Sequence, residues 1–147
     1  MDNKNNPLVE ILLLTYNGKE HLTKSLKSLR ETKYKNLIIT VIDNGSEKEY
    51  HNFIKNNYPW VKILRHEKNK SFSEANNIAL KKSKAKYCIL LNDDTEHDPN
   101  WIIELVKIAE KNPNIGALQP KVLSMRNRKM FEYAGGSGGF IDIYGYP

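Results

Sequence analysis

Apolar positions along the chain alternate between two rhythms. VEILLL (9–14) is a near-continuous apolar run, the pattern of a strand buried on both faces. Residues 19–31 shift to helical spacing, with Leu22, Leu26 and Leu29 on one stripe. NLIITVI (36–42) predicts a second strand that ends at the turn sequence DNGS. Tyr50, Phe53 and Ile54 mark a helix over 47–57, and VKILRH (61–66) a short third strand. Ala75, Ile78 and Ala79 align on a helix over 73–84, for which Ser71 or Ser73 is the N-cap. YCILL (87–91) predicts a buried fourth strand. Asp98 as cap and Pro99 in the first turn open a last helix, with Ile102, Leu105, Val106 and Ala109 as its buried face. IGALQ (115–119) predicts a final strand.

Strand–helix alternation repeated four times predicts an α/β fold, a mostly parallel sheet flanked by helices with right-handed crossovers. Ligands of such sheets sit at the carboxyl ends of the strands. Three unusual polar clusters fall there: TYNG (15–18), DNGS (43–46) and NDDT (92–95). The alternation supports an α/β core over residues 1–120. From 121 to 147 the pattern dissolves into aromatics and a GGSGG stretch, read either as a flexible linker or as a loop beside a ligand. Phe140, Ile141, Ile143 and Tyr144 arrive just before Pro147 with nothing after them to cover them. That predicts a chain cut short, with a C-terminal segment prone to self-association.

Composition narrows the classes. A formal net charge of +6 suits nucleic acid, anionic headgroups or a phosphorylated small molecule, but the lysines are spread along helices (Lys19, Lys24, Lys27; Lys81, Lys82, Lys84) as on solvated faces. No apolar run reaches the roughly 20 residues needed to span a bilayer, and MDNKNNP is too polar for a secretory signal. The single cysteine, Cys88, cannot form an internal disulfide, which together with these features points to the cytoplasm. The four histidines (His21, His51, His66 and His97) lack metal-ligand spacing, and only His97 is near the acidic cluster in sequence.

Chemistry concentrates at the strand ends. Asp93 and Asp94 repel one another unless a positive partner joins them, and a hard cation such as Mg²⁺ or Mn²⁺ carrying phosphate oxygens is one. A solvated turn with a helix cap is the bland alternative. In DNGS, Asp43 is suited to accept hydrogen bonds from a base or ribose, although Asn-Gly is also a common turn pair. In TYNG, Tyr16 is suited to base stacking and Gly18 to close backbone approach. The chain has neither G-x-G-x-x-G after its first strand nor a P-loop. A nucleotide here must be gripped by side chains and a metal.

Taken in order, VEILLLTYNGKEHLTKSLKSL, LIITVIDNGS, NKSFSEANNIAL and YCILLNDDT resemble the nucleotide-binding half of a GT-A glycosyltransferase. More narrowly they resemble the inverting family 2, with its rhamnosyltransferases and other polysaccharide-assembly enzymes. The resemblance implies that Thr15, Tyr16 and Asn17 line the base pocket. It implies that Asp43 bonds a pyrimidine with Asn44 nearby, and that Asn69 and Asn76 face the nucleotide. NDD (92–94) corresponds to the D-x-D motif, with Asp94 on the metal, Asp93 near ribose or metal, and Asn92 in place of the first aspartate. Ser71 stands where glycine is usual. The implied reaction transfers a sugar from a UDP- or dTDP-linked donor to a saccharide or lipid-linked acceptor, with inversion and Mn²⁺ or Mg²⁺ as cofactor. It also implies peripheral association of the full-length enzyme with the inner face of the membrane. The catalytic base is expected beyond Pro147, because Glu132 and Asp142 are the only acids after residue 120. The rivals are a noncatalytic nucleotide- or carbohydrate-binding module and a metal-dependent nucleotidyltransferase. No motif supports nucleic acid as partner.

Overall fold

The computed structural model describes residues 6–132; the GGSGG stretch, Asp142 and the apolar residues from Phe140 to Tyr144 lie outside them. The chain divides into two compact units, Met1–Pro99 and Asn100–Pro147. In the first unit the elements run β1 (Val9–Thr15), α1 (Lys19–Arg30), β2 (Leu37–Asp43), α2 (Lys48–Asn57), β3 (Lys62–Arg65), α3 (Phe72–Lys82) and β4 (Tyr87–Asn92). The four strands form one parallel sheet in the order β3-β2-β1-β4. This is the α/β architecture expected from the periodicity.

The strand order places the helices. β1, β2 and β3 step outward in one direction, so right-handed crossovers put α1 and α2 on one face. The chain then jumps back to the far side of β1, which puts α3 on the other. Packing agrees: Leu12 and Ile42 meet Ala75 and Ala79 of α3 in one buried cluster. Val9, Ile11 and Leu13 alternate with these and are fully buried, as are Leu22 and Leu26 of α1. Each such side chain removed from water stabilises the fold by roughly 1.5–3 kcal/mol. Glu10 is the one acid inside the β1 run, and both of its oxygens are satisfied, by Thr40 Oγ1 at 2.6 Å and Ser83 Oγ at 2.5 Å.

Three expectations need correction. β4 is not enclosed on both faces: among the described residues it is an edge strand, and Leu90 is 45% exposed. Asn100, not Asp98, occupies the N-cap position of α4 (Trp101–Lys111), with no side-chain cap bond. Residues 115–119 form no strand, because a strand needs a ladder partner and no described segment pairs with them. Beyond α4 the described residues contain only an isolated antiparallel bridge, Leu123 to Phe131. Ser71 does cap α3, accepting from Glu74 N at 3.2 Å.

One group of cations gathers at a single pole. Arg30 ends α1 and Lys33 and Lys35 follow it, while Lys81, Lys82, Lys84 and Lys86 end α3 or follow it. Both stretches lie at the amino ends of the strands, where Val9 N donates to Asn36 O and Lys86 N to Leu8 O. The sequence shows these cations as scattered, whereas the fold gathers them opposite Asp43, Asp93 and Asp94.

Candidate functional site

The reversal of strand order between β1 and β4 is the switch point at which α/β sheets open a crevice. A cavity of about 310 Å³ sits there. Its wall takes Thr15, Tyr16 and Gly18 from the end of β1, His21 from α1, Asn44 from the end of β2, and Asn92, Asp93 and Asp94 from the end of β4. Leu14 pairs with Asn92 in the ladder, so Thr15 and Asp93 arrive side by side. Thr15 Oγ1 donates to Asp93 Oδ2 at 2.5 Å. Gly18 makes room for that contact, since a Cβ there would lie 2.5 Å from Asp93 Oδ2. Burial raises the Asp93 carboxyl above the usual range and Asp94 adds to this, while the Thr15 hydrogen bond and His21 oppose it. α1 starts directly behind Gly18, so the positive end of its dipole favours an anion in the same cavity.

The other motif residues hold the loops together. Asn17, at φ 52°, donates its N–H to Ser46 Oγ at 3.1 Å and accepts from Glu47 N at 3.0 Å. Asn44 Nδ2 donates to Lys70 O at 2.9 Å, and Lys70 N returns a bond to Asn44 Oδ1 at 3.1 Å. Gly45 adopts φ +78° with Lys68 and Asn69 backbone so close that a Cβ would meet them at 2.4–2.5 Å. DNGS therefore clasps both neighbouring loops. Asp43 is fully buried at its centre, with Oδ1 accepting from Ser46 N at 3.0 Å. Its Oδ2 accepts from His51 Nδ1 at 2.8 Å and Arg65 Nη1 at 3.3 Å.

Of the residues singled out in the sequence, Thr15, Tyr16, Asn44, Asp93 and Asp94 meet at the cavity. Asn17, Asp43, Asn69 and Asn76 stand off its wall. Asn69 is exposed; Asn76 is buried, with Nδ2 on Phe72 O at 2.9 Å and Oδ1 lacking a partner. His21 is the histidine that sequence proximity missed; its only signal is its place in the first turn of the helix that opens at TYNG. His97 turns inward instead, its Nδ1 2.9 Å from Ser28 Oγ and its Nε2 3.1 Å from Thr95 Oγ1.

Burial lowers the His97 pKa to about 4. The unfolded chain, at about 6.5, therefore binds its proton first. The stabilisation is complete above pH 6.5 and is lost as pH falls toward 4, by up to about 3 kcal/mol. Urea unfolding across that window should show the loss, and His97→Gln should flatten it; an equal slope in both proteins would exclude His97 as its source.

Among the described residues, no three His, Cys, Asp or Glu side chains converge as a ready metal cage. Asp93 and Asp94 are hard oxygen donors beside an open cavity, which fits a Mg²⁺- or Mn²⁺-type ion that takes its remaining ligands from phosphate and water.

Comparison with known proteins identifies the family and the fold. The family described as glycosyl transferase family 2 matches residues 10–134. An uncharacterised glycosyltransferase of Haemophilus influenzae is 30% identical over 118 residues, covering 78% of this chain and 36% of its own. One from Rickettsia prowazekii is 31% identical over 108 residues, covering 74% of this chain and 34% of its own. The chain thus spans about a third of the length of these relatives. Among solved structures, the mannosyltransferase PcManGT of Pyrobaculum calidifontis, in complex with GDP-Man and Mn²⁺, superposes with a TM-score of 0.72 at 19% identity. That match covers 87% of this chain and 39% of the other. TarS 1–349 of S. aureus superposes with a TM-score of 0.64 at 16% identity, covering 76% of this chain and 38% of its own. The fold is thus of the GT-A type, and the chain belongs to glycosyl transferase family 2.

Proposed function

We propose that the cavity binds a nucleotide-diphosphate sugar together with Mn²⁺ or Mg²⁺, as the donor half of an inverting glycosyltransferase. The observation that carries this reading is the meeting of Asp93 and Asp94 with Thr15, Tyr16 and Asn44 at the switch point. The mannosyltransferase neighbour with GDP-Man and Mn²⁺ supports it by analogy of fold. In this reading Tyr16, 53% exposed at the rim, stacks on the base, and Asn44 and Thr15 line its pocket. Asp43 reads a pyrimidine, so the donor is UDP- or dTDP-linked, and Asn17, Asn69 and Asn76 shape the loops around it. The α1 amino terminus offers the positive end of its dipole to the diphosphate, with His21 beside it on the cavity wall.

Asp94, exposed, and Asp93, half-buried, hold the divalent ion. When bound, the ion neutralises charge that builds on the departing diphosphate. The acceptor is a saccharide or a lipid-linked saccharide, as in polysaccharide assembly. With both cavity carboxylates assigned to the ion, the base that deprotonates the acceptor is a group other than Asp93 and Asp94. No helix among the described residues is long and apolar enough to cross a membrane. Peripheral attachment to the cytoplasmic face is the accompanying proposal for the full-length enzyme.

Calorimetry with UDP-, dTDP- and GDP-linked sugars, with Mn²⁺ and then with chelator, tests donor binding. Release of nucleoside diphosphate in the presence of acceptor tests transfer. Residues 1–147 should bind a pyrimidine-linked donor in a metal-dependent way and transfer little, since general-base assistance contributes roughly 10²–10⁴-fold. Failure to bind any nucleotide sugar would refute the reading, and binding without turnover by the full-length protein would leave a noncatalytic module.

A further inference from the structure

Behind the cavity, Tyr50 of α2 approaches Thr15 from the far side of Asp93. The phenol oxygen lies 2.5 Å from Thr15 Oγ1, which in turn lies 2.5 Å from Asp93 Oδ2. Proton counting gives this series a direction. Thr15 has one hydroxyl hydrogen and spends it on Asp93, so Tyr50 must donate to Thr15. Thr15 and Tyr50 are 2% and 7% exposed, so water does not compete for either hydroxyl. The Tyr50 ring is fixed in turn by stacking on Phe53, with centroids 6.2 Å apart. Burial pushes the Tyr50 phenol well above its ordinary range, which keeps it a proton donor at any working pH.

We infer that Tyr50 is a positioning residue for the donor site, acting through Thr15 to commit one oxygen of Asp93 and so set how the Asp93–Asp94 pair meets a divalent ion. While the relay is intact, a short hydrogen bond occupies one lone pair of Asp93 Oδ2 and fixes the carboxylate plane, which leaves Oδ1 as the freer donor toward a cation. The bare side of Gly18 belongs to the same device, because any Cβ there would push Asp93 out of line with Thr15. Groups that hydrogen-bond a metal ligand orient it and tune its affinity, and losing one typically costs about 10–100-fold in metal binding. Sequence spacing cannot expose this role, since Tyr50 reads there as one member of the apolar stripe of a helix.

The inference rests on the reading of Asp93 and Asp94 as the ion-holding pair, and the experiment separates the two. Free Mn²⁺ is counted by electron paramagnetic resonance during titration of the protein with UDP present, well below its melting temperature. The variants are Tyr50→Phe, Thr15→Val, both together, and Ile54→Val, elsewhere in the α2 core, as a packing control. Tyr50→Phe should weaken Mn²⁺ binding about tenfold. The double variant should be no weaker than Thr15→Val alone, as for residues acting in series. Ile54→Val should lower the melting temperature and leave Mn²⁺ affinity within about twofold. Unchanged affinity in Tyr50→Phe, or effects that simply add, would overturn the relay while leaving the ion site intact. Absence of Mn²⁺ binding by the unmodified protein would overturn the ion site, and the relay with it.

Discussion

Replacing Asp94 with alanine is expected to weaken Mn²⁺-dependent binding of UDP or dTDP by at least about two orders of magnitude. Losing a direct ligand should cost no less than losing a group that merely supports one. Asp94 is exposed beside the cavity and lies outside the hydrophobic core, so the fold should survive. Excess chelator should weaken binding to the unmodified protein to the same degree and leave Asp94→Ala unaffected. Calorimetry in the two conditions measures both. If nucleotide diphosphate bound equally well to both proteins, the acidic pair would return to being a solvated turn.

Asp43→Asn should have the second largest effect, and on two separate readings. The carboxylate accepts from Ser46 N on one side and from His51 and Arg65 on the other. An amide has one accepting end, so whichever way it turns, its NH₂ faces a donor. Leaving such groups opposed in a fully buried site costs about 3 kcal/mol, at the low end for a broken buried pair because His51 and Arg65 keep some contact with water. Urea unfolding should show a lower midpoint with an unchanged slope. If Asp43 also reads a pyrimidine, affinity for UDP at a temperature where the variant is folded should fall by a further 1–3 kcal/mol, roughly. Lost stability with full affinity would assign Asp43 to the clasp alone.

Much of the fold was legible because its determinants are local. The continuous apolar run of β1, the Leu22–Leu26–Leu29 stripe of α1 and the Ser71 cap of α3 each depend on neighbours a few residues away. Once four strand–helix units were recognised, the rule that ligands gather at carboxyl strand ends brought TYNG, DNGS and NDDT to one crevice. Thr15, Tyr16, Asn44, Asp93 and Asp94 do meet there. IGALQ failed as a strand for the complementary reason: its apolar content is local, but pairing requires a partner that the pattern cannot supply.

From β1 to α4, the element types, the parallel α/β class and the strand ends that carry polar chemistry follow from periodicity and turn residues. The strand order β3-β2-β1-β4, and with it the switch point between β1 and β4, comes from tertiary packing. That order faces His21 rather than His97 toward the acidic pair, and buries Asp43 among Ser46, His51 and Arg65. It also brings the Tyr50 phenol to Thr15 across 35 residues of chain, and collects one group of basic residues, from the ends of α1 and α3, at the opposite pole. The reason is physical. These relations join side chains distant in sequence, and only the packing of helices against a particular strand order sets the distances at which their charges and hydrogen bonds act.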